Sequence, residues 1–131
     1  MVIFDNYKKV LSAFRNSNGN KTVYILAVLK MDEIVDKWSI IVSIDWITQE
    51  NRGEVFSSFI KSLQDNLGKE ELNEIARIGF YTPDEHLVQL FFKTFEEGQH
   101  IKEGCKVNGN IIHEGYIISL DKNKFNSEIA L

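Results

Sequence analysis

The stretch KWSIIVSIDWI, Lys37–Ile47, decides the fold. Side chains alternate across a strand, so Trp38, Ile40, Val42, Ile44 and Trp46 share one face. Ser39, Ile41, Ser43, Asp45 and Ile47 share the other. The first face is apolar throughout and requires a cover. The second is mixed, and Asp45 belongs to it rather than interrupting the core face. A carboxylate near the end of such a strand is a common position for catalysis, so Asp45 carries the first functional question.

Upstream, Thr22–Lys30 is rich in strand formers and apolar on both faces: Val23, Ile25, Ala27 and Leu29 against Tyr24, Leu26 and Val28. That pattern predicts a central strand covered on two sides. Before it, Tyr7, Val10, Leu11 and Phe14 fall on one face of a helix that NSNGNK breaks. Downstream, Asn51 and Glu54 have the spacing of a helix cap. Val55, Phe56, Phe59, Ile60, Leu63 and Leu67 then follow helical spacing up to a glycine stop at Gly68. KEELNEIA predicts a short further helix burying Leu72 and Ile75, and RIGFYT a short strand. Thr82-Pro83-Asp84-Glu85 predicts a helix beginning at Pro83, with Glu85 reaching back. Asn108-Gly109 between extended segments predicts a two-residue hairpin.

The order is helix, two strands, one or two helices, strand, helix, two strands. It predicts an α+β (mixed α/β) domain, with a mixed sheet of about five strands on three to four helices. At 131 residues the chain reads as one domain, 1–131, with 121–131 a fraying tail. Such a chain buries about two-thirds of its extended surface, enough for a core without staples.

Composition narrows the functional classes. Apolar residues make up 44% and charged residues 26%, the balance of an ordinary globular protein. One cysteine, Cys105, excludes an internal disulfide framework. MVIFDNYKKV lacks the uninterrupted apolar run of a secretory leader, and no run approaches the roughly 20 residues of a membrane span. The expected location is cytoplasmic, with no membrane association. The net charge of −4 is uneven: residues 31–100 carry fourteen acidic and six basic side chains. That acidity argues against nucleic acid as a partner.

His86, His100 and His113 show no metal-ligand spacing, so no metal and no cofactor are expected. In the predicted hairpin register Cys105 faces Ile112 and Gly104 faces His113, so Cys105 and His113 point to opposite faces and form no dyad. The same register sets Glu103 against Glu114, which predicts that pairing stops near Gly104. G-x-S-x-G and phosphate-binding glycine loops are absent. Acid chemistry remains: Asp45, Glu50 and Glu54 cluster around a strand-to-helix junction and form the weak candidate set for a metal-dependent hydrolase or nuclease-like enzyme. A small-ligand pocket floored by Ser39, Ser43 and Asp45 is a further alternative.

The strongest unusual signal is apolar. In HLVQLFFKTF the apolar positions spread over roughly 200° of the helix, twice the stripe that a one-sided surface helix needs. Phe91, Phe92 and Phe95, with Tyr116 on the last strand, are therefore the expected interaction residues. The leading reading is a small non-catalytic interaction module, accessory, antitoxin or immunity-like, that self-associates or binds a protein partner. A three-layer fold that buries the excess internally is the competing expectation.

Overall fold

The computed structural model describes residues 2–31, 34–102, 104–107 and 109–126. In chain order these form α1 (Val2–Ser17), β1 (Ile25–Met31), β2 (Ile34–Ser43), α2 (Arg52–Asn66), α3 (Lys69–Asn73), β3 (Ile75–Tyr81), α4 (His86–Thr94), β4 (His100–Ile101), β5 (Cys105–Val107) and β6 (Asn110–Leu120). A 3-10 turn at Lys122–Lys124 follows. The strands make one six-stranded mixed sheet in the order β3-β2-β1-β6-β4, with β5 also paired to β6. The α+β class holds; the strand beyond the expected five is β4, whose two residues pair with Tyr116 and Gly115.

β1 is central, antiparallel to both β2 and β6. Its two apolar faces serve two cores. Leu26 and Val28 join Trp38, Ile40, Val42 and Ile44 beneath α1 and α2, where Val10, Phe14, Val55, Phe59 and Leu63 close the first core. Ile25, Ala27 and Leu29 join Ile41, Ile112 and Ile117 beneath α4. The molecule is thus a three-layer sandwich, and the alternation read along Lys37–Ile44 is the alternation between its cores.

Several local expectations shift. β2 ends at Ser43, so Asp45 lies in a bend beyond the strand. Ile47, assigned to the mixed face, instead packs against the first core because the chain turns at that bend. Asn51 occupies the cap position of α2, but its side chain makes no cap bond. Its Oδ1 accepts from the Thr48 amide at 2.7 Å and its Nδ2 donates to the Trp46 carbonyl at 3.0 Å, tying down the preceding loop instead. Ile75 opens β3 rather than closing the short helix, since the β3–β2 pairing begins there.

The helix expected from Pro83 begins at His86. Glu85 does reach back, accepting from the Thr82 amide at 2.6 Å. The Pro83 carbonyl, however, is taken at 2.6 Å by the side chain of buried Gln89, and Thr82–Glu85 stays a turn. The hairpin register is as expected, with Cys105 opposite Ile112 and Val107 opposite Asn110. Gly109 adopts the φ of +80° that such a turn demands. Asn108, the proposed Glu103–Glu114 apposition and the 127–131 part of the tail lie outside the described residues.

Candidate functional site

Each expected site residue can now be placed. Asp45 follows the C-terminal end of β2, beside the C-terminal end of its parallel neighbour β3, where open α/β sheets commonly place ligands. It stands on a cleft of about 380 Å³ with Thr82, Pro83, Asp84, Gln89, Lys124 and Asn126. Its side chain is 42% exposed. Asp45 Oδ2 accepts from the Tyr24 hydroxyl at 3.1 Å, and Lys124 Nζ lies 4.0 Å away. Burial, then this hydrogen bond and the carboxylate charge, push the Tyr24 hydroxyl above its ordinary pKa.

Glu50 and Glu54 are exposed, in the loop and in the first turn of α2, and neither lines this cleft. Among the described residues no group of three His, Cys, Asp or Glu is positioned to hold a metal ion. The three acids are neighbours in sequence without converging on one point. The proposed pocket floor is closed as well: Ser39 and Ser43 are fully buried, on the face that α4 covers. Cys105 is half-buried, and desolvation raises its thiol pKa, the opposite of activation.

The expected interaction residues lie inside the molecule. Phe91, Phe92 and Phe95 are buried in the second core against β1, β6 and Ile101. Tyr116 is buried in the first core, with Phe4 and Trp38 edge-on and His100 stacked on its ring at 4.2 Å. The wide apolar arc of α4 is consumed by the sheet on one side and by Phe125 and the ends of β4 and β5 on the other. These four side chains form core contacts, and the exposed apolar surface lies elsewhere.

It lies on the opposite margin of the sheet. β3 is the terminal strand, and no strand pairs with its outer side among the described residues. Tyr81 bonds inward, its carbonyl accepting from the Ile44 amide at 3.1 Å. Alternation in a parallel pair therefore turns the backbone groups of Ile78 and Phe80 outward. Above this edge runs α2. Phe56, Ile60 and Gln64, with Leu72, Ile75 and Ile78, line a depression of about 400 Å³. A second, of about 380 Å³, lies between Phe56, Gly53, Arg52, Ile47, Ile78 and Phe80. Phe56 borders both, is 41% exposed, and meets Phe80 edge-on at 6.0 Å.

Sequence reasoning assigned Phe56 to the buried face of its helix. A weaker signal was present: Phe56 and Ile60 each stand 100° around the helix from Val55 and Phe59, at the margin of an apolar arc of roughly 140°, narrower than that of α4. Comparison with protein-family models, curated proteins and solved structures finds no match. The functional reading therefore rests on geometry.

Proposed function

We propose that this chain is a small non-catalytic interaction module that docks a protein partner along the outer edge of β3 and the adjoining flank of α2. The observation that supports it is the open edge Ile75–Tyr81 beside the exposed ring of Phe56. Natural sheets usually blunt such edges with charge, proline or a covering element, because unpaired backbone groups recruit another strand. β3 carries one charged residue, Arg77, and no proline. An added strand would gain main-chain hydrogen bonds from the edge and side-chain contacts from the α2 depressions, the usual division in β-augmentation.

The test compares wild type with Phe56→Glu in affinity recovery from the native host, with circular dichroism confirming the fold. Loss of recovered protein on Phe56→Glu supports the reading; equal recovery by both sinks it. Phe92→Ala serves as the contrasting core variant. It is expected to cost about 3–5 kcal/mol of stability in denaturant titration, because Phe92 is fully buried.

A further inference from the structure

We infer that the α4-side face of β3 holds a binding site for a small organic monocarboxylate, with Arg77 as the anion fork, Tyr81 as a second donor and Gly79 as the bare floor between them. This face lies opposite the one that meets Phe56, so the site is tested separately from partner docking.

The placement follows from strand period. Along Arg77–Tyr81, alternation puts Arg77, Gly79 and Tyr81 on one face, and Ile78 and Phe80 on the other, against the first core. The parallel register sets Arg77 beside Ser39, Gly79 beside Ile41 and Tyr81 beside Ser43. α4 packs over β1 and β6, and Leu87 is the residue by which it borders the margin. A cleft of about 320 Å³ remains there, with Met31 and Asn110 completing its wall. That volume falls at the lower end of the range usual for small-molecule sites.

Arg77 is oriented from within the sheet. Its Nε donates to Ser39 Oγ at 2.8 Å, and Ser39 is fully buried. The bond engages one side of the guanidinium and fixes its plane. The Nη1–Nη2 end, which meets a carboxylate with two parallel hydrogen bonds, has no acceptor among the described residues.

Tyr81 supplies the second donor because Gly79 lacks a side chain. A Cβ at Gly79 would lie 2.8 Å from Tyr81 Cε2 and 2.9 Å from its hydroxyl, so the ring folds back over the glycine. The hydroxyl thus stands over the residue midway between Tyr81 and Arg77, without a hydrogen-bond partner among the described residues.

Charge selects the ligand class. Residues 31–100 carry fourteen acidic side chains, yet among the described residues no carboxylate lines this cleft and Arg77 is its one charged group. One fixed positive charge matches a monoanion. A phosphate monoester, at roughly −1.5 to −2, would exceed it. Met31, Ile41 and Leu87 offer apolar contact to the body of the ligand.

The experiment is proton–nitrogen correlation NMR of the full chain, titrated with sodium benzoate and, in parallel, with phenyl phosphate and benzylammonium chloride. Saturable benzoate shifts at the Arg77 Nε–H and at the Gly79 amide are expected, with none from benzylammonium. Arg77→Lys keeps the charge but loses the fork, and should weaken benzoate at least about tenfold. Tyr81→Phe removes one hydroxyl and should weaken it about three- to tenfold. Absence of saturable benzoate shifts up to its solubility, or equal affinity in wild type and Arg77→Lys, would overturn the site. Tighter binding of phenyl phosphate or of benzylammonium would overturn the monocarboxylate assignment. If Arg77→Lys fails to fold because Ser39 loses its partner, Tyr81→Phe decides: unchanged benzoate affinity there overturns the two-donor geometry.

Discussion

The Tyr24 hydroxyl donates to Asp45 Oδ2 across 3.1 Å, and Lys124 shares that oxygen at 4.0 Å. The carboxylate thus joins the bend before β1, the segment after β2 and the C-terminal turn at the rim of a cleft. These contacts tie three segments together. Glu50 and Glu54, the acids expected to assist Asp45, lie off the cleft.

Asp45→Asn should consequently leave stability within about 0.5 kcal/mol of wild type in urea titration, as is usual for partly exposed polar pairs. Addition of Mg²⁺ or Mn²⁺ should leave the melting temperature of both proteins unchanged. A metal-dependent rise that Asp45→Asn abolishes would restore the hydrolase reading.

Tyr7 predicts an alkaline limit. It is buried, and desolvation followed by the charges of Glu71 and Glu74 raises its pKa well above the ordinary value. The unfolded chain releases this proton near pH 10, whereas the folded chain retains it. The stabilisation is therefore complete below about pH 10 and declines as pH rises beyond it. Tyr7→Phe should flatten that decline in denaturant titrations at stepped alkaline pH. An equally steep decline in the variant would assign the limit to other groups, of which Tyr24 and Tyr116, also raised by burial, come first.

Gln89 predicts a local defect. It is buried, and its amide donates to the carbonyls of Pro83 at 2.6 Å and Lys124 at 2.9 Å. Its Oε1 accepts from the Asn126 amide at 2.6 Å. One side chain thus ties the turn before α4 to the C-terminal segment. Gln89→Leu removes all three bonds while keeping similar volume, and should cost about 1–3 kcal/mol. Hydrogen exchange should accelerate at Asn126 before it does in β1. Unchanged exchange there would show that the segment is held by other contacts.

Much of this architecture could be read before folding was considered. Period two along Lys37–Ile44 assigns the two faces of β2 correctly, because backbone geometry alone sends alternate side chains to opposite sides. The same holds for the doubly apolar β1 and for the Cys105–Ile112 register, which turn geometry sets locally. The start of α4 was misread for a non-local reason. The Pro83 carbonyl is captured by Gln89, whose orientation also depends on Lys124, 35 residues away.

The apolar faces of the helices divide along the same line. The sequence by itself determined that α4 carries more apolar arc than one sheet face requires, and that α2 carries a narrower apolar face with Phe56 and Ile60 towards its margin, since both follow from helical period. Which arc is swallowed and which is left at the margin was decided only in three dimensions. α4 lies across the central strands, where β1, β6 and the chain ends enclose Phe91, Phe92 and Phe95. α2 lies above the terminal strand, where among the described residues no strand lies beyond β3, and Phe56 stays exposed. Burial depends on what packs against a surface, and periodicity reports only the surface.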